Sequence, residues 1–107
     1  MYLFANKIDQ SGAPFIADII KNKLQLQTLG LSNNKLYKYG AMEIAKTGLT
    51  GKQSLVKLSI ENNCIGNEGL KAISIALSEC RALQEIYLYN NEIDDEPIED
   101  FTNLIAQ

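Results

Sequence analysis

Apolar residues recur at one spacing in three stretches of the chain: Leu26, Leu29 and Leu31; Leu55, Leu58 and Ile60; Leu83, Ile86 and Leu88, with Met1 and Leu3 left of an earlier copy. The last residues of each stretch alternate apolar and polar, which predicts a short strand with its apolar side chains on one face. An asparagine follows each stretch at Asn6, Asn34, Asn63 and Asn91, in steps of 28, 29 and 28 residues. Another apolar residue stands two positions later, at Ile8, Leu36, Ile65 and Ile93. Between the strands the apolar spacing becomes helical. It runs through Phe15, Ile16, Ile19 and Ile20, then Ile44, Ala45 and Leu49, then Ala72, Ile73, Ala76 and Leu77, and last Ile98, Phe101, Leu104 and Ile105.

Strands returned to the same end of a sheet by a crossover of roughly 20 residues stack in parallel. This predicts an α/β solenoid of about four repeats in a single domain, over residues 1–25 (a partial copy), 26–54, 55–82 and 83–107. The asparagines then have a structural task. Where each strand bends away, the amide can bond main-chain groups of neighbouring turns, so Asn6, Asn34, Asn63 and Asn91 form a ladder. Gly12, Gly40 and Gly69 share one position before the helices, Pro97 takes it in the last copy, and Pro14 suits a first helical turn. The extra residue of the second copy falls between Gly40 and Leu55, where Gly48 and Gly51 are expected to end the second helix.

At this level the match is to a known pattern. The segment LVKLSIENNCIGNEGLKAISIALSECRAL resembles a ribonuclease-inhibitor-type leucine-rich repeat, LxxLxLxxNxIGxxGxxxLxxxL, and the resemblance extends over essentially the whole chain. It implies a right-handed β-α superhelix shaped as a horseshoe segment, with a parallel sheet on the concave face and helices on the convex face. It also implies a protein-interaction module. The second helix matches least, with Thr47 and Gly48 where the third copy has Ala76 and Leu77.

Solenoids of this kind most often bind through the residues that point out of the strands and the turn after them. Those residues are Tyr2, Phe4 and Ala5; Thr28, Gly30, Ser32 and Asn33; Lys57, Ser59, Glu61 and Asn62; and Glu85, Tyr87, Tyr89 and Asn90. Tyr2, Phe4, Lys57, Ser59, Glu61, Glu85, Tyr87 and Tyr89 are the candidate partner contacts, and Tyr87 and Tyr89 lead because exposed tyrosines bring large amphipathic area at little rotamer cost. Tyr37 and Tyr39 are candidates for a rim. Four strands about 4.8 Å apart give a face of only a few hundred Å², below the ~800 Å² per partner of a standard interface. Self-association through an apolar terminal strand beginning Met1-Tyr2-Leu3-Phe4, or continuation into a longer solenoid, is therefore the alternative reading.

Composition narrows the function further. The chain has 107 residues, 46% of them hydrophobic, and no long apolar run or signal-like start, so no membrane segment is expected. It has no histidine and two cysteines, Cys64 and Cys80, at opposite ends of a repeat. No metal site, cofactor or disulfide is expected, and a reducing, cytoplasmic setting is. Without a Ser-His or Cys-His pairing or a phosphate-binding glycine motif, the chain reads as no enzyme. Ten basic side chains are scattered and the net charge is −3, so no nucleic-acid partner is expected. Six of the thirteen acids, Glu92, Asp94, Asp95, Glu96, Glu99 and Asp100, crowd the end of the chain, where they suit a loop and a first helical turn. An acidic region also accompanies the Ran GTPase-activating proteins, which share the repeat class. GTPase regulation is the second functional alternative.

Overall fold

The computed structural model describes residues 1–3 and 7–94. Three strands, β1 (Thr28–Gly30), β2 (Lys57–Ser59) and β3 (Glu85–Tyr87), form a parallel sheet in the order β1-β2-β3. Thr28, Lys57 and Glu85 lie opposite one another, as do Leu29, Leu58 and Ile86, and Gly30, Ser59 and Tyr87. Residues 1–3 add a rung beside β1, where the Leu3 N–H donates to the Gly30 carbonyl (2.7 Å) and the Gly30 N–H to the Met1 carbonyl (2.8 Å).

Helices cover one face of the sheet: α1 (Ala13–Asn22), α2 (Tyr37–Glu43), continued by a π-helical segment (Ile44–Leu49), and α3 (Gly66–Leu77). Leu29, Leu31, Leu58 and Ile60 from the sheet side meet Ile20, Ile44, Leu49, Leu70 and Ile73 from the helix side in one core, all at 0 or 1% exposure. The inward set expected from the alternation is buried in β1 and β2, and so are Gly30 and Ser59, which were expected to face outward. Ile86 and Leu88 of the third strand are half-buried.

The π-helical segment is where the 29-residue spacing is absorbed. An i to i+5 bond accommodates one more residue per turn than an α-helix. Here the Thr50 N–H donates to the Ala45 carbonyl five residues back (3.1 Å), and the Thr50 hydroxyl to the same carbonyl (3.0 Å). The extra residue therefore widens the helix layer while the strands stay in register. Gly48 lies inside this segment, which corrects the expectation that it ends the helix. A Cβ there would sit 3.2 Å from the Ala17 carbonyl oxygen and from Ile20, so its role is close approach to α1. Gly51, at φ +67°, follows the segment in the left-handed region that closes helices.

The first helix also sorts its apolar residues differently from their even spacing. Ala13, Ala17 and Ile20 are buried, while Phe15 is 74% and Ile19 47% exposed. The helix enters through a loop in which Asp9 Oδ1 accepts from the Ser11 N–H (3.0 Å), the Ser11 hydroxyl (2.7 Å) and the Gly12 N–H (3.1 Å). Those donors, the Ser11 hydroxyl foremost, hold the Asp9 carboxyl below its usual range. The fourth helical stretch, from Ile98, with Asp95, Glu96 and Pro97, lies outside the described residues, as do Phe4, Ala5 and Asn6.

Candidate protein-interaction surface

Each strand turns into its loop at an Asn-Asn pair, and the two asparagines do different work. The first of each pair, Asn33, Asn62 and Asn90, has φ of 61°, 57° and 59°. Asparagine tolerates this left-handed conformation better than most residues, and it lets the chain leave the sheet sharply. The Asn62 amide also donates to Asn33 Oδ1 (2.7 Å).

The second of each pair points inward. Asn34, Asn63 and Asn91 are buried at 6%, 0% and 2% exposure. Asn63 Nδ2 donates to the carbonyls of Leu31 (2.9 Å), Ile60 (3.1 Å) and Glu61 (3.1 Å), and its Oδ1 accepts from the Leu36 N–H (3.4 Å). Asn34 reaches the Leu3 carbonyl (2.8 Å) and Asn91 the Ile60 carbonyl (2.9 Å) in the same manner. Asn91 Oδ1 accepts from the Asn63 N–H (2.8 Å). Every amide thus ties its own turn to the one before it. These bonds hold the loops that frame the outward sheet face.

That face has graded accessibility. Ser32 and Ser59 are at 4% and 9% exposure and Gly30 is buried, so the middle of β1 and β2 offers little side-chain surface. Ser59 sits in register between Gly30 and Tyr87, which explains its enclosure. Lys57, Glu61 and Tyr87 are half-buried, and Glu85, Tyr89 and Tyr2 are exposed. Most of the reachable chemistry lies over β2 and β3, and Phe4 falls outside the described residues.

A small polar-aromatic group forms there. The rings of Tyr87 and Tyr89 meet edge to face, with centroids 6.3 Å apart and planes at 75°. Lys57 Nζ lies 5.4 Å from the Tyr87 ring centroid, within cation–π range. The Tyr87 hydroxyl donates to Glu85 Oε1 (3.1 Å). This bond to a carboxylate and the charge itself push the phenol above its usual range, so Tyr87 stays protonated and its proton stays on the bond to Glu85. Glu61 accepts a hydrogen bond from the Ser32 hydroxyl. Held in this way, the tyrosines lose little rotamer freedom on meeting a partner.

On the rim, Tyr39 is 62% exposed, with Lys38 Nζ 5.1 Å from its ring centroid and 3.2 Å from the Glu68 carboxylate. Tyr37 opens α2 at φ 55°, and Gly66 opens α3 at φ +67°. Both cysteines are free, Cys64 exposed and Cys80 buried. Among the described residues no cluster of acids and cysteines could hold a metal ion, and no helix is long and apolar enough to cross a membrane.

The comparisons agree with this architecture. Residues 51–74 and residues 82–104 each match a family model described as a Leucine Rich Repeat. No curated protein matches the chain by sequence. Among solved structures, the tropomodulin C-terminal domain of Caenorhabditis elegans superposes with a TM-score of 0.75 at 18% identity, covering 98% of this chain. The chain spans 63% of the length of that domain's chain, and the likeness is one of fold. Leucine-rich repeats are typically non-enzymatic binding modules that mediate protein–protein contact. The two sequence matches place leucine-rich repeats at residues 51–74 and 82–104, and the parallel strands with the helices that connect them fit an α/β repeat fold.

Proposed function

We propose that this protein, of the ribonuclease-inhibitor-like repeat type, binds a partner protein through its outward sheet face, concave in that type, and the adjoining loops. The observation that carries the reading is the ordered group of Tyr87, Tyr89, Lys57 and Glu85. Its tyrosines are partly or largely exposed yet held by ring, cation and carboxylate contacts. Exposed aromatic side chains with polar tips are the residues most enriched in binding hot spots. The free, exposed Cys64 favours a reducing, cytoplasmic location for the encounter. The test is affinity capture from a reducing cell extract with wild type and a folded Tyr87→Ser, Tyr89→Ser double variant. A partner held by wild type and lost by the variant supports the reading. Identical capture by both moves the contact away from the sheet.

A second reading is favoured by α1. A Cβ on Gly69 would lie 3.3 Å from the Ala41 Cβ, and one on Gly40 3.6 Å from the Ala13 Cβ, so this register position faces the preceding helix. At Gly12 the nearest atoms are those of its own loop. Phe15 and Ile19, three and seven residues on, share that side, as Ala72 and Ala76 do in α3, and they are exposed. The protein then self-associates by stacking α1 against a second copy. Sedimentation over a range of concentrations tests this, with Phe15→Lys expected to shift any dimer to monomer.

A further inference from the structure

Lys52 is an anomaly in the core's own terms. Lys23, Lys52 and Cys80 stand at one register position, three residues before Leu26, Leu55 and Leu83. At that position Cys80 is 5% exposed and Lys52 only 8%. Among the described residues the Lys52 ammonium makes no hydrogen bond or ion pair, and the one ion pair formed is Lys38 with Glu68. No fully buried side-chain nitrogen or oxygen there lacks a partner, so the ammonium must emerge at the surface. Lys52 is among the residues lining an open cleft of about 620 Å³ between the end of α1 and the end of the π-helical segment.

Lys21 and Lys46 line the same cleft, and no carboxylate does. Lysines at helix C-termini ordinarily cap carbonyls and offset the macrodipole. Here other donors have taken those carbonyls. The Thr50 hydroxyl and N–H serve Ala45, the Thr50 hydroxyl reaches Lys46, and the Lys52 N–H bonds Leu49 (3.1 Å). No bond joins any of the three ammonium groups to a carbonyl. The chain is acidic overall, yet three lysines line this cleft and none of them forms an ion pair among the described residues.

We propose that this cleft binds a phosphate-bearing anion, with the buried Lys52 and the exposed Lys21 and Lys46 of its lining as the donors. A multiply charged oxyanion matches three point-charge donors with nine N–H groups between them. Burial holds the Lys52 amine below the ordinary lysine range, a penalty that an anion beside it removes. The site is remote in sequence from Tyr87 and Tyr89 and does not depend on a partner at the sheet face.

The experiment is calorimetric titration of the full chain with sodium tripolyphosphate at fixed ionic strength, beside flotation with vesicles of phosphatidic acid in phosphatidylcholine. Heat without flotation identifies a free phosphate compound as the ligand, and flotation identifies a lipid headgroup. Either supports the proposal if Lys52→Met weakens binding about tenfold, as expected for loss of one charged hydrogen bond, while Lys71→Met on the exposed side of α3 leaves it unchanged. A Lys21→Met, Lys46→Met double variant, which touches only exposed side chains, must weaken binding as well. Absence of binding to both probes overturns the proposal. So does equal loss with Lys71→Met, or full binding by Lys52→Met that melts higher than wild type, which marks Lys52 as a core residue alone.

Discussion

Asn63→Ala is the sharpest test of what holds the repeats in register. The wild-type side chain is fully buried and makes three bonds from Nδ2 and a longer one to Oδ1. The three carbonyls each keep a second partner after truncation: Leu31 retains the Asn34 amide, Ile60 the Asn91 amide and Glu61 the Asn33 N–H. Nδ2 carries only two hydrogens to share among them, so their loss costs the net value of about two bonds, about 1 kcal/mol each. The Leu36 N–H, by contrast, is left without its acceptor in the core, at about 1–3 kcal/mol. The sum is about 3–5 kcal/mol, a large share of the ~5–15 kcal/mol of a small domain. The control is Asn62→Gly, which gives up one exposed bond but keeps a residue suited to φ 57°, so it should cost under ~1 kcal/mol. Urea denaturation followed by circular dichroism measures both. If the Asn63→Ala midpoint lies no lower than that of Asn62→Gly, the ladder is not a source of stability.

Other perturbations separate packing from surface. Leu58→Ala, at 0% exposure in β2, should cost about 2–5 kcal/mol, whereas Ser59→Ala, which loses no hydrogen bond, should change the same urea midpoint little. Gly69→Ala would bring a Cβ to 2.7 Å from the Ile65 Cβ and should cost about 1–3 kcal/mol through overpacking; a melting temperature equal to wild type would refute that geometry. Asp9→Ala should lower the melting temperature at neutral pH. Because the folded carboxyl titrates below its unfolded value, this stabilisation is present above the unfolded value and disappears as pH falls through the folded one, so the two proteins should converge in acid. A deficit that persists there would mean that the Asp9 charge is not what holds the loop. For the GTPase alternative, turnover of small GTPases should be the same with and without the protein if the sheet-face reading holds, and acceleration of any GTPase in a panel would favour the alternative.

Strands and asparagines were legible in the sequence because their task repeats identically in every turn. An inward leucine in β1 meets the same surroundings as one in β2, and an amide at the bend finds the same carbonyls. The helix layer was less legible, because a helix in a stack has flanks whose neighbours depend on place in the row. Phe15 and Ile19 have the spacing of a core stripe yet face outward. The Asn-Asn pair hid a backbone requirement behind what reads as surface polarity, since the same residue type serves a left-handed φ at exposed Asn62 and a buried amide at Asn63. Lys52 is by composition one of ten scattered basic side chains, although its place three residues before Leu55 aligns it with buried Cys80. Register, rather than residue type, was the signal available there.

The second repeat shows how the two layers divide the burden of variation. A strand slipped by one residue would turn Leu58 and Ile60 outward and Ser59 inward, because side-chain direction alternates with a period of two. It would also break the Asn63 bonds to Leu31 and Leu36. A helix that gains one residue rotates only part of its surface, and a single π turn confines the change to Ile44–Leu49. Closer approach of α1 then requires the smallest residue, which is Gly48. Deleting Thr47 should accordingly restore an uninterrupted α-helix in a 28-residue repeat at modest cost, whereas deleting Ser74 from the regular α3 should misalign Leu77 and Cys80 and unfold the third turn. Melts of the two deletions decide this directly: equal losses would mean that the helix layer tolerates length change no better in one repeat than in another, and that the π turn is incidental to the extra residue.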